Sequence, residues 1–218
     1  MPLERAAATA VRLLDLGYFR IGNDYYADAN GSFGLTTLER RHVRRHGSAL
    51  AFQFVGKSGI EHHVVIEDEQ SVAALEDMRR RSGGERLLAY REGEAWLDLG
   101  SGFVNAYLSE LFGGGFTAKD FRTWHATVIA AEALALSTEP GRTQASRKRA
   151  EKLAVAEVAG YLGNTPAIAR SSYVDPRVLD SYASGHTIES AARASYRSAS
   201  ARQAGLERAV LELLGVGP

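Results

Sequence analysis

Two strand-like runs, 49–55 (Ala-Leu-Ala-Phe-Gln-Phe-Val) and 60–66, flank the tetrapeptide Gly56-Lys57-Ser58-Gly59, and a short glycine-bounded turn between such runs is the signature of a β-hairpin. That feature constrains the fold most, because the other long patterned stretches read as helix. Apolar positions recur at helical spacing from Leu3 to Leu16 and stop at Gly17, a good helix-ending residue. Helical stretches follow at about 102–112, 118–136, 142–162, 176–183, 188–198 and 202–214, with a third short strand at Leu87 to Arg91. The expected fold is therefore mainly α (α+β), with one small antiparallel sheet. The simplest partition is one domain over 1–218, carrying a small sheet-bearing lobe at about 45–95.

Composition narrows the chemistry. With 218 residues and 45% hydrophobic composition the chain can bury one sizeable core. It has no apolar run of bilayer length and no signal-peptide core after Met1; a cytoplasmic, bacterial protein is expected. The absence of cysteine excludes disulfides, thiolate nucleophiles and cysteine-based zinc sites. Lys+Arg and Asp+Glu both total 26, a formal net charge of +0, so any affinity for phosphate must come from the distribution of charge. Basic residues cluster at Arg40, Arg41, Arg44 and Arg45, at Arg79 to Arg81, and at Arg147, Lys148, Arg149 and Lys152; each cluster by itself reads as a solvated face. Gly113-Gly114-Gly115 and Gly83-Gly84 lack the spacing and the Lys-Ser/Thr of a P-loop, so they are connectors. His42 and His46 have the i, i+4 spacing of a helical metal pair without an evident third ligand, so a basic surface is expected there. His62 and His63 must lie on opposite faces of their strand.

The segment Leu162-Gly163-Asn164-Thr165-Pro166 through Tyr173-Val174-Asp175-Pro176-Arg177 ends in a tyrosine that helical packing does not demand. Tyr173 is the candidate nucleophile. A phenol with an ordinary pKa of about 10 attacks phosphorus only when cationic donors stabilise phenolate and pentacoordinate phosphate together. Arg20, Lys57, Arg122 and Asn164 could serve, although each has a plainer alternative: surface arginine, turn lysine, partner of Asp120 or Glu132, and N-cap of a helix starting near Thr165-Pro166.

Taken in order, Phe19-Arg20-Ile21-Gly22, Gly34-Leu35-Thr36-Thr37-Leu38, Phe54-Val55-Gly56-Lys57-Ser58-Gly59, Phe116-Thr117-Ala118-Lys119-Asp120-Phe121-Arg122-Thr123-Trp124 and the Tyr173 segment resemble the catalytic domain of type IB DNA topoisomerases, in particular the short poxvirus and bacterial branch. The resemblance runs across nearly the whole chain. It implies that Tyr173 attacks a backbone phosphate to give a 3′-phosphotyrosyl link and a free 5′-hydroxyl. Arg20 and Arg122 would hold the nonbridging oxygens with bidentate forks, and Lys57 would be the general acid for the departing 5′-oxygen. Asn164 stands nine residues before Tyr173, where many relatives carry histidine; an amide donates a hydrogen bond but cannot become cationic. His125, one turn after Arg122, has no family role and reads as a packing residue. Asn23, Tyr26, Thr37 and Lys119 are implied as DNA-positioning residues.

The resemblance further implies double-stranded DNA as partner, a monomer, no ATP or other nucleotide cofactor, no metal requirement, and a cytoplasmic, nucleoid-associated location. A tyrosine recombinase shares the order of residues, but carries His-x-x-Arg where this chain has Lys119-Asp120-Phe121-Arg122. A non-catalytic DNA-binding relic is the remaining alternative. The amino-terminal β-rich clamp domain of the branch is expected to be absent, since the chain starts almost directly at the first catalytic-domain helix.

Overall fold

The computed structural model describes residues 1–24, 27, 31–138 and 143–216. It divides into two compact units, Met1–Arg122 and Thr123–Pro218. Within the described residues the helices are α1 (Leu3–Gly17), α2 (Glu69–Arg80), α3 (Ser101–Phe112), α4 (Ala118–Ala135), α5 (Gln144–Leu162), α6 (Pro166–Ser172), α7 (Pro176–Ala183), α8 (Glu189–Ala192) and α9 (Ala199–Leu213). The strands are β1 (Val43–His46), β2 (Ala49–Val55), β3 (Glu61–Ile66), β4 (Ala89–Glu92) and β5 (Ala95–Asp98). The chain is mainly helical with small antiparallel sheets, as its patterning requires. No helix among the described residues is long and apolar enough to cross a membrane.

In the first unit, β1, β2 and β3 form an antiparallel sheet in that order. Cross-strand pairs Leu50–Ile66, Phe52–Val64 and Phe54–His62 turn one face to a core that also holds Leu13, Leu14, Leu35, Leu38, Leu75 and Met78. On β3 the alternation places His62 on this inner side and leaves His63 exposed, the opposite orientation that a period of two dictates. The strand at 87–91 forms as β4 over 89–92, but it pairs with β5 in a separate sheet.

Further elements depart from the patterning. β1 supplies the third strand of the hairpin sheet; with only Val43 of its four residues buried, it is a charged edge strand that carries no alternation to read. His42 therefore lies in a 3₁₀ turn (Arg40–His42), where its Nδ1 accepts the Glu39 N–H at 3.0 Å, and no helix joins it to His46. The sequence expectation also lacks α2, although Asp68 caps it by accepting from Ser71 N–H at 3.0 Å and Val72, Leu75 and Met78 form its buried stripe. The helix expected over 188–198 is confined to α8, while α9 starts earlier, behind a Ser198 cap that accepts from Ala201 N–H at 3.1 Å.

Two members of the basic clusters are structural rather than solvated. Arg40 donates to the carbonyls of Arg79 (3.2 Å), Arg81 (2.8 Å) and Gly84. Arg81, which is buried, donates to those of Met78 (2.7 Å), Leu87 (3.2 Å) and Arg86 and lies over the Trp96 ring. Together they satisfy carbonyls of the turn that follows α2, where the chain offers no regular partner.

In the second unit, α5 packs against α6 and α7, and α8 against α9. Ala154, Val155, Val158 and Leu162 of α5, Ala169 of α6, and Val178 and Leu179 of α7 are buried.

Candidate active site

The position of Arg20 is set by how α1 ends. Tyr18, not Gly17, takes the left-handed conformation (φ 55). Gly17 matters for space instead: a Cβ there would lie 2.2 Å from the Phe19 ring, which folds back into the core edge-on to Phe52 at 5.2 Å and stacked on Phe54 at 5.9 Å. The next backbone groups are fixed from a second segment. Leu35 N–H donates to the Arg20 carbonyl (2.7 Å), and Thr36 N–H and hydroxyl both donate to the Ile21 carbonyl (2.8 Å each).

This clamp depends on contact between two backbones. A Cβ on Gly34 would stand 2.5 Å from Gly22 N and Cα and 2.8 Å from the Arg20 carbonyl oxygen, atoms with no room to move. Gly34→Ala is expected to cost about 1–3 kcal/mol of stability, the range for overpacking, and to displace Arg20. Chemical denaturation measures the first effect and the DNA-cleavage rate the second; a variant with parental values for both would refute the clamp. Thr37, implied above as a DNA-positioning residue, lies inside this clamp. It is 0% exposed, and its hydroxyl accepts Gly34 N–H at 2.8 Å and donates to the Gly34 carbonyl at 3.1 Å, so its side chain holds the turn.

Lys57 occupies the tip of the β2–β3 hairpin in a 3₁₀ turn (Lys57–Gly59), closed by Gly56 N–H donating to the Ile60 carbonyl at 2.7 Å. It is exposed. Phe33 N–H donates to the Val55 carbonyl at 2.8 Å, tying the hairpin to the segment that clamps Arg20. Arg20, Asn23, Gly34, Lys57 and Ser58 consequently line one open cleft of about 540 Å³. Tyr26 lies outside the described residues.

Arg122 enters the first unit from α4. Asp120 accepts from the N–H and hydroxyl of Thr117, both at 2.8 Å, and Glu132 pairs with Arg202; these carboxylates serve other groups. Arg122 itself is 3% exposed and donates to the carbonyl of Tyr18, two residues before Arg20. Lys119, one turn earlier, is exposed, whereas His125, one turn later, is buried.

A residue without an assigned role in the sequence, His62, lies within the electrostatic reach of both arginines. Its ring stacks on Phe54 at 5.0 Å. Burial lowers its pKa most, and the charges of Arg20 and then Arg122 lower it further, with His63 adding to the effect. Both guanidinium groups therefore act on one neutral imidazole. Because His62 binds a proton more weakly folded than unfolded, the protein should lose stability as pH falls from the ordinary histidine value of 6.5 through the depressed folded value. His42, whose pKa is also lowered chiefly by burial, contributes to the same limb. Melting temperatures between about pH 7.5 and 5 should fall less steeply for His62→Gln than for the parent; parallel curves would contradict this account.

Asn164 and Tyr173 belong to the second unit. Helix α5 closes at Gly163 in the left-handed conformation (φ 58), and Asn164 N–H donates to the Ala159 carbonyl at 2.9 Å. The cap of α6 is Thr165, which accepts Ile168 N–H at 3.4 Å, with Pro166 in the first turn. This corrects the capping alternative for Asn164, which stands one residue outside that position. Helix α6 has seven residues, so about 10 Å of helical rise separates its two ends. Tyr173 is the C-cap at the far end, half-buried, with its N–H donating to the Ala169 carbonyl at 3.2 Å. Asp175 then caps α7 by accepting Arg177 N–H at 2.9 Å and pairs with the Arg177 guanidinium at 2.7 Å, contacts that hold its pKa below the ordinary carboxylate value. The nucleophile candidate thus sits on a short, pinned connection between two helices.

Comparison with known proteins places this chain in a family. The sequence model of the family described as "Eukaryotic DNA topoisomerase I, catalytic core" matches residues 1–197. The chain is 32% identical over 171 residues to the DNA topoisomerase 1B of Acanthamoeba polyphaga mimivirus, a match covering 75% of this chain and 50% of the viral protein. It is 31% identical over 137 residues to DNA topoisomerase 1 of Schizosaccharomyces pombe, covering 62% of this chain and 16% of the yeast protein. The chain therefore spans about half the length of the viral relative and a smaller part of the yeast one. With the family match running through Arg20, Lys57, Arg122, Asn164 and Tyr173 alike, the chain belongs to the type IB DNA topoisomerases, as a catalytic domain of the short, viral-like branch.

Proposed function

We propose that this chain relaxes supercoiled duplex DNA by transient cleavage of one strand. The observation that carries the proposal is Arg122 bonded to the segment that leads into Arg20, which shares a cleft with Lys57. Arg122 is hydrogen-bonded to the carbonyl of Tyr18, Arg20 shares a cleft with Lys57, and both guanidinium groups act on His62.

In this mechanism the Tyr173 oxygen attacks a backbone phosphorus and the P–O5′ bond breaks. The strand is left as a 3′-phosphotyrosyl ester with a 5′-hydroxyl. Arg20 and Arg122 donate to the nonbridging oxygens, where charge grows as phosphorus becomes pentacoordinate; planar forks aimed at those oxygens stabilise the transition state more than the ground state. Lys57, on a turn exposed at the end of a hairpin, reaches the leaving 5′-oxygen and protonates it. Asn164 adds a neutral donor. Asn23 and Lys119 position the duplex through polar and phosphate contacts. The 5′ end then swivels about the intact strand, and the reverse attack of the 5′-hydroxyl reseals it. Bond energy is conserved in the phosphotyrosyl ester, so no nucleotide is consumed, and the charges of Arg20 and Arg122 make a metal ion dispensable. On this reading residues 1–218 act as one catalytic domain and as a monomer, in the cytoplasm at the nucleoid.

The test is relaxation of negatively supercoiled plasmid at low salt in EDTA without ATP. Relaxed topoisomers accompanied by a covalent protein–DNA adduct support the proposal. Retention of full supercoiling, with no adduct on linear duplex, overturns it.

A further inference from the structure

The connection that carries Tyr173 is held by a residue to which neither the sequence motifs nor the mechanism above gives a part. Thr127 lies in the middle of α4 and is 2% exposed. Its hydroxyl donates to the carbonyl of Thr123, one turn earlier, at 2.8 Å, which is how a buried threonine in a helix ordinarily satisfies itself. The same oxygen does more. It accepts the backbone N–H of Asp175 at 3.1 Å, and the carbonyl of Tyr173 lies 3.4 Å away as a second acceptor for the hydroxyl proton. These contacts cross 46 and 48 residues of sequence, so they are not consequences of the helix.

One hydroxyl therefore addresses both ends of the tripeptide Tyr173-Val174-Asp175. Val174 is buried, and the Asp175 carboxylate is committed to capping α7. The remaining freedom of this connection is a shift of its peptide groups against α4, which the Thr127 hydroxyl opposes. Tyr173 extends a long, rigid ring from that backbone, so a small rotation at its Cα moves the phenol oxygen by a larger distance. A misplacement of about 1 Å can cost 10²-fold in rate without any change in binding.

We propose that Thr127 is a positioning residue for Tyr173: by holding the Asp175 N–H, and offering the Tyr173 carbonyl an alternative donor, it fixes the direction from which the phenol oxygen meets phosphorus. This rests on the reading of Tyr173 as the nucleophile. A hydroxyl is needed because it can accept from Asp175 and donate at the same time, which neither a methyl nor a hydrogen can do. Valine preserves the shape of threonine and removes that capacity; serine keeps it.

The experiment compares Thr127→Val and Thr127→Ser with the parent in single-turnover formation of the covalent adduct on saturating linear duplex, alongside duplex affinity and melting temperature. The Val variant should form adduct about tenfold more slowly with its duplex Kd within about twofold of the parent, and the Ser variant should recover a rate within about twofold of the parent. A duplex with bridging sulfur in place of the 5′-oxygen gives a leaving group that needs no proton. It should leave the Val defect intact, because the fault lies with the attacking group. Parental rates for Val, a Ser variant as slow as Val, or a rate loss matched by an equal loss of affinity would each overturn the proposal. If Val does not fold, Thr127→Ala is measured against the same expectations. Failure of the parent itself to form an adduct would overturn the nucleophile reading, whereas an active parent with an equally active Val variant would overturn the Thr127 inference alone.

Discussion

Tyr173→Phe should bind duplex DNA as the parent does, form no covalent adduct, and relax plasmid more slowly by on the order of 10⁴-fold or more, the scale on which removal of a covalent nucleophile is felt. The ring remains, so the packing of the α6–α7 connection is kept. Its backbone contacts with Ala169 do not involve the phenol, and the fold should lose little. What disappears is the phenol oxygen proposed to displace the 5′-oxygen. The check is denaturing electrophoresis of protein–DNA mixtures in parallel with plasmid relaxation. Adduct formation by the Phe variant would transfer the role to another oxygen, Ser171 and Ser172 being the nearest in sequence.

Lys57→Ala has the second largest expected effect, a loss of 10²–10⁴-fold in the cleavage rate, the usual worth of general acid–base catalysis. Its diagnostic feature is selective rescue. With a bridging sulfur at the 5′ position the leaving group departs as a thiolate without protonation, so Lys57→Ala should cleave that duplex within about tenfold of the parent. Lys57 is exposed on a three-residue turn, so truncation leaves no buried void and the sheet registers of β2 and β3 stay as they are. Equal defects on oxygen and sulfur substrates would show that Lys57 binds phosphate instead of moving a proton.

How much of this was legible in the sequence depends on whether the cause was local. The hairpin around Lys57, helix α1 and the long helices α4 and α5 follow from periodicity and from breakers next to them in the chain. The short pieces do not. β1 holds its place through pairing with β2, and its Arg44, Arg45 and His46 side chains carry no trace of that. Arg40 looked like surface charge because the carbonyls it satisfies belong to a turn up to 44 residues away. The capping position offered to Asn164 belongs to Thr165, a shift of one residue that composition cannot distinguish.

The candidate site divides in the same way. Residue types and their order, Arg20, Lys57, Arg122, Asn164 and Tyr173, carry the resemblance on which the proposed chemistry rests. Where those groups stand is a matter of tertiary structure. The Gly34–Gly22 contact aims Arg20, and the Tyr18 carbonyl holds Arg122 beside it. His62 lies within the electrostatic reach of both charges, and Thr127 fastens the connection that bears Tyr173. None of these four has a sequence signature, since each is a hydrogen bond, a steric limit or a field between residues distant in the chain, and such interactions exist only after the core has brought them together.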